Sequence, residues 1–224
     1  MDETQTDPNS IKKIRSGFEL SFVLFNLIVF FLLSFLARKS YPLFGLVVLW
    51  GILSPILYGI FTRSLPNLGF SKANAGKSVL WGAAAGFAAS LIGILVLDDF
   101  HVPQDLARQL IFGLPLWLLV ISPFQEFFFR GLIQSKLSDV YGEWAGLLTA
   151  NLLFTAWHYV SPIVDLATFP LVSMLGIAST FLAGLVYGYS FMRSGNMISP
   201  WLGHVISGIA FILVGAMDFG ALYS

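Results

Sequence analysis

Seven runs of mainly apolar residues, separated by short polar stretches, set the frame of this chain: approximately Phe18 to Ala37, Pro42 to Phe61, Val79 to Leu97, Leu110 to Phe129, Trp144 to Tyr159, Leu171 to Met192 and Trp201 to Met217. A hydrocarbon layer about 30 Å thick needs ~20 mainly apolar residues per crossing helix. Most of these runs meet that length, so the pattern predicts an all-α, polytopic transmembrane bundle of about seven to eight spans. The first run follows Lys12, Lys13 and Arg15, as in a signal peptide, but it is too long and lacks a small-x-small cleavage site. It is read as an uncleaved first span.

Composition sharpens this picture. The 224 residues are 57% hydrophobic and 11% charged, against roughly 25% charged in a soluble domain. The 12 basic and 12 acidic residues cancel, leaving no basic footprint for nucleic acid. With no cysteine, disulfides, thiolate metal sites and cysteine nucleophiles are all excluded.

A cytoplasmic N-terminus places nine basic residues inside (Lys12, Lys13, Arg15, Arg63, Lys72, Lys77, Arg130, Lys136, Arg193) and three outside (Arg38, Lys39, Arg108). The positive-inside rule therefore favours that orientation. The chain divides into an N-terminal tail (1–17), two spans with a polar linker (18–78) and a C-terminal core (79–224). Gly82 and Gly86 form a G-x-x-x-G pair, read as tight helix packing. Asp98, Asp99 and His101 are read as a solvated external turn.

A charge near the centre of a span costs about 2.5 to 3.5 kcal/mol on insertion scales, so such residues mark an interior or a cavity. Glu126 and Arg130, in the stretch FQEFFFRG, are one helical turn apart and can pair. Mutual neutralisation alone accounts for them equally well. His158 follows Phe154 by four residues in the next span, and His204 lies just inside the last one, after Pro200. A lone histidine in either place is more often structural than catalytic.

Geometry links the first two sites. If the fourth span runs on to a turn near Gly142, Glu126 lies 16 residues before it and His158 16 after it. At 1.5 Å per residue both are about 24 Å from the turn, at a common depth where a carboxylate and an imidazole can meet. The same reasoning puts His204 nearer the cytoplasmic surface. A common site requires the Ser194 to Pro200 connection to re-enter the bundle, which irregular backbone does only where protein or water surrounds it.

At these residues the sequence resembles the CAAX prenyl endopeptidase and bacteriocin-processing (CPBP, or Abi) family of intramembrane proteases. The family's Glu-Glu-x-x-x-Arg, Phe-x-x-x-His and His-x-x-x-Asn motifs read here Gln125-Glu126-x-x-x-Arg130, Phe154-x-x-x-His158, and His204 with Gly208 in the last place. The resemblance implies that the first glutamate and first histidine activate water, and that the second histidine and the asparagine stabilise the oxyanion. Gln125 and Gly208 depart from that pattern, and since an amide is a poor base, Glu126 has to substitute for Gln125.

The activity so implied is endoproteolysis near the C-terminus of a lipidated or hydrophobic substrate, in the plasma membrane of a prokaryote, without a cofactor. Glu126 and His158 hold the water, Arg130 favours the carboxylate anion, and His204, with Ser207 or a backbone N–H, stabilises the oxyanion. Zinc held by Glu126, His158 and His204 is the chemical variant, although the H-E-x-x-H pair of a strong zinc motif is missing. A non-catalytic immunity factor, scaffold or chaperone-like partner is the alternative that Gln125 and Gly208 motivate. A transporter is a third reading, for which the chain lacks the paired interrupted helices or repeats expected of many transporters.

Overall fold

The computed structural model describes residues 8–96, 101–162 and 172–217. All seven expected spans are helices: α1 (Pro8–Ala37), α2 (Tyr41–Phe61), α3 (Ala75–Ile94), α4 (the continuous helical stretch 106–141), α5 (Glu143–Val160), α6 (Val172–Ser194) and α7 (Ile198–Leu213). Asp98 and Asp99 of the expected external turn lie outside the described residues. Five stretches, in α1, α2, α3, α4 and α6, are long and apolar enough to cross a membrane, and α7 is shorter. The chain is a polytopic integral membrane protein. α1 begins ten residues before the expected start of the first span, so much of the expected N-terminal tail is helical.

α1 shows what a lipid environment does to a helix pattern. Val23, Asn26, Phe30, Ser34 and Ala37 are buried at three- and four-residue spacing, whereas the opposite face exposes Phe18, Phe25, Ile28, Leu32 and Phe35. A soluble helix would carry charge there; this one is apolar all round. Lipid tails are as apolar as leucine, so packing and internal hydrogen bonds, rather than water exclusion, hold such helices together. Ser34 supplies one, accepting from Trp157 Nε1 at 2.8 Å while donating to Phe30 O. Around it Phe30 stacks on Phe128 with centroids 4.0 Å apart, and Phe129 and Trp157 close the cluster. Such aromatic pairs contribute about 0.5–1.5 kcal/mol each beyond buried area.

α1 and α4 run antiparallel, joined near the start of α1 by Lys136, which reaches Asp139 at 2.6 Å and Glu19 at 3.7 Å. At the other end Arg38 donates to the carbonyls of Tyr159 and Val160, capping the C-terminus of α5. These contacts define two ends of the bundle. The near end holds the start of α1, the 62–74 connection, the α4–α5 turn and the α6–α7 turn; the far end holds the described segments 38–40, 95–96, 101–105 and 214–217.

α4 runs to Tyr141 and turns at Gly142, as the sequence predicts, and φ of +90° there explains the glycine. Wide, π-type turns at Gln109–Gly113, Trp117–Ile121 and Phe127–Gln134 interrupt its regular winding. Such turns are common where a helix presents functional side chains.

The α6–α7 turn explains how His204 comes within reach of α4. Ser194, Asn196, Met197 and Ser199 are all buried beneath the 62–74 connection. Asn196 Nδ2 donates to the carbonyls of Ser71 and Ala73, its Oδ1 accepts from Ile198 N–H, and Met197 N–H donates to Gly69 O. The polar linker is thus a plug that satisfies an inward-set turn. Against α7, α3 packs through its small residues: a Cβ on Gly86 would lie 2.6 Å from Ile206 Cβ, and one on Gly82 2.7 Å from Ser199 O.

Candidate active site

Glu126 is fully buried on α4, and its two oxygens face two different partners. Oε1 is 2.7 Å from His204 Nδ1, and Oε2 is 3.3 Å from Arg130 Nε. Arg130 is itself buried, donating from Nη2 to Gly184 O at 2.8 Å and lying over the Phe154 ring at 4.1 Å. A carbonyl, a π face and a carboxylate thus stand in for water around a guanidinium. Gly184 makes this possible, since a Cβ there would meet Asn151 Oδ1 at 2.2 Å and the Phe154 ring at 2.8 Å.

The expected meeting of a carboxylate with an imidazole therefore occurs, but with the other histidine. Glu126 pairs with His204 of α7, while His158 Nδ1 lies 2.9 Å from its own helix's Phe154 O. A carbonyl only accepts, so Nδ1 of His158 carries the proton and Nε2 of the neutral ring is a free base. Equal depth along two helices leaves open which face each residue presents. The inward-set α6–α7 turn, treated as a condition for a common site, supplies the closer partner.

A cavity of about 510 Å³ is lined by Gln125, His158, Tyr187, His204 and Ser207. Glu126 is not on its wall. Successive helical residues point about 100° apart, so Gln125 faces the cavity and Glu126 the helix interface behind it. Gln125 is 2% exposed, and its Oε1 has no hydrogen-bond donor from the protein.

His204 is fixed on three sides. Tyr187 stacks on one ring face with centroids 5.1 Å apart and a 13° tilt, Trp117 meets it edge-on at 5.3 Å, and Glu126 holds Nδ1. Trp117 Nε1 donates to His204 O at 2.9 Å, as does Ser207 Oγ at 3.0 Å. The Tyr187 and Ser207 hydroxyls hydrogen-bond each other. A Cβ on Gly208 would lie 1.8 Å from Trp117 Nε1, so the indole occupies the space that a side chain at 208 would need.

Trp117 and Tyr187 were not singled out from sequence. Their signal is faint: aromatic residues with a polar tip inside a span, Tyr187 beside Gly184 and Gly188. The zinc set does not assemble: Glu126 Oε1 is engaged by His204 Nδ1, and among the described residues no three His, Asp or Glu side chains form a ligand group.

Residues 107–210, a little under half of the chain, match the family model described as Rce1-like, type II CAAX prenyl endopeptidase Rce1-like. No curated protein and no solved structure gives a significant match. The matched segment holds α4 to α7 almost entirely, with all of the polar residues gathered around the cavity floor. Over these residues the chain is similar to the Rce1-like, type II CAAX prenyl endopeptidase family, in line with the resemblance carried by its motifs.

Proposed function

We propose that the protein is an intramembrane endopeptidase in which His158, rather than Glu126, takes the proton from water. The observation that carries this reading is the split of two histidines on one cavity wall. One has a free Nε2 and no carboxylate partner, and the other is bound to a buried carboxylate that also faces a guanidinium.

In this mechanism a water lies between His158 Nε2, which accepts one of its protons, and Gln125 Oε1, which accepts the other in a hydrogen bond and fixes its orientation. The water oxygen attacks the scissile carbonyl carbon, and the carbonyl π pair moves onto oxygen. His204, oriented through Nδ1 by Glu126, donates from a protonated Nε2 to that oxyanion. When the tetrahedral intermediate collapses, the C–N bond breaks, and the departing amine takes the proton that His158 accepted. Water is consumed, an acid and an amine are released, and both histidines return to their starting forms.

Arg130 acts on the reaction only through Glu126. No metal or cofactor takes part in these steps. The apolar surround of the cavity, including Phe44, Phe124 and Phe211, suits a hydrophobic or lipidated peptide segment.

The test is cleavage of prenylated and unprenylated hydrophobic peptides by purified protein, with and without a chelator. Chelator-insensitive cleavage that is lost in His158→Ala and His204→Ala supports the reading. Inhibition by chelator that zinc restores contradicts it. The absence of cleavage by folded wild-type protein favours a non-catalytic partner, the reading that Gln125 and the indole-filled space at Gly208 would then support.

A further inference from the structure

In the reaction above the oxyanion has one donor, His204 Nε2, and Gly208 cannot supply a second. It has no side chain, its N–H lies within the ladder of α7 (Ile198–Leu213), and the Trp117 indole fills the space beside it. The indole N–H is itself engaged on His204 O. Each donor to a developing oxyanion is worth about 10²- to 10³-fold in rate, so a second one matters.

Gln125 is already engaged with the attacking water in that reaction, which leaves hydroxyl groups as candidates. Among the described residues, the hydroxyls on the cavity wall are those of Ser179, Thr180, Tyr187 and Ser207. Ser179 and Thr180 precede Tyr187 by eight and seven residues on α6, about 10–12 Å along the helix, and Ser179 Oγ donates to Gly176 O at 3.0 Å. Tyr187 and Ser207 instead flank His204. The Tyr187 ring, 3% exposed, stacks on the imidazole with a 13° tilt, and Ser207 Oγ bonds to His204 O at 3.0 Å.

A count of hydrogens separates these two. Each hydroxyl has one. A carbonyl only accepts, so Ser207 gives its hydrogen to His204 O. In the bond between Tyr187 and Ser207 the serine oxygen is therefore the acceptor and the phenol the donor. Of the two hydrogens, only that of Tyr187 can turn into the cavity without releasing the His204 carbonyl. The turn gives up one neutral hydrogen bond and gains one to an anion, and charge-assisted bonds are about twice as strong. Nothing favours it before the oxyanion forms. The donation is thus made in the transition state and not in the ground state, which raises kcat rather than tightening substrate binding.

We propose that the Tyr187 hydroxyl is the second oxyanion donor, standing in for the side chain that Gly208 lacks. The assignment rests on the endopeptidase reading and adds to it a residue outside the three motifs. No proton is transferred to the oxyanion. As the carbonyl π pair moves onto oxygen, the Tyr187 O–H turns to that oxygen, and it returns to Ser207 Oγ when the tetrahedral intermediate collapses and the C–N bond breaks.

Tyr187→Phe in the full-length protein tests this. The ring and its stack on His204 are kept, and Ser207 still donates to His204 O, so the variant should melt close to wild type. With a cleaved hydrophobic peptide, kcat should fall about 10²- to 10³-fold while KM changes little. A phosphinate analogue of that peptide, a stable tetrahedral anion, should bind more weakly by about tenfold or more. Ser207→Ala leaves the phenol in place and should lower kcat by less than about tenfold, the cost of one neutral hydrogen bond. An undiminished kcat in folded Tyr187→Phe overturns the assignment. So does a loss in Ser207→Ala as large as that in Tyr187→Phe, since Ser207 is then the donor. Unchanged phosphinate affinity beside a lowered kcat also overturns it, because the hydroxyl then acts on something other than the anion. No cleavage by folded wild-type protein overturns the endopeptidase reading and this assignment together, whereas cleavage that is indifferent to the Tyr187 hydroxyl overturns this assignment alone.

Discussion

Glu126 and His204, 78 residues apart in sequence, share a 2.7 Å hydrogen bond at a point where neither is open to solvent. The carboxylate also faces Arg130, so one buried anion is shared between a guanidinium and an imidazole. This arrangement fixes which ring nitrogen of His204 is left for the cavity. It also makes Glu126 a positioning residue, since it touches the reacting groups only through the histidine.

Replacing Glu126 with Gln therefore has two consequences. Arg130 is left buried without its counter-charge, which costs about 3–5 kcal/mol when one partner of a buried pair is removed. His204 also loses the carboxylate that orients it, so activity falls with stability. Thermal unfolding in detergent and peptide turnover should both fall, and Glu126→Asp should recover part of each.

Gln125→Glu places a carboxylate on the cavity wall with His158. Because the amide orients water but does not accept its proton, the substitution should raise turnover by about 10²-fold, the lower end of general acid–base gains. Steady-state kinetics with a cleaved peptide measure it. An unchanged or lower rate in a variant that folds as wild type would show that position 125 does not contact the attacking water.

Gly208→Asn forces a side chain into the Trp117 indole, and overpacking of this kind costs about 1–3 kcal/mol. Trp117→Ala in the same chain clears the space. The double variant should unfold at a higher temperature than Gly208→Asn alone, a coupling that a thermal-melt double-mutant cycle reads directly.

Much of this architecture is legible in the sequence, because membrane helices announce themselves by length and because charges inside them are too costly to be incidental. The seven helices, the turn at Gly142 and close helix packing at Gly82 and Gly86 are all readable there, although which helix packs on those glycines is not. The pairing of Glu126 with His204 was not legible, unlike that with Arg130, since it depends on how far an irregular turn is set into the bundle. That depth is fixed by Asn196 and the carbonyls of Ser71 and Ala73, more than 120 residues away in the chain. Trp117 and Tyr187 escaped notice for a related reason: in a chain this rich in aromatics, only three-dimensional contact separates a ring that fixes a histidine from one that faces lipid.

Asn196→Ala tests the plug. It removes three hydrogen bonds that each contribute about 0.5–1.5 kcal/mol, and leaves the carbonyls of Ser71 and Ala73 without this donor. The melting temperature should drop, and turnover should drop with it as α7 and His204 shift. Asn67→Ala, on the exposed part of the same connection, should change neither.

The central claim is that His158 is the base, and it is tested most directly by the turnover of a hydrophobic peptide by wild type and His158→Ala, each shown by its melting curve to be folded. The side chain has one hydrogen bond, to its own helix, so the variant should melt close to wild type. The account predicts cleavage by wild type and a loss of about 10²- to 10⁴-fold in His158→Ala, the range for removing a general base. Cleavage at an undiminished rate in the folded variant would contradict it.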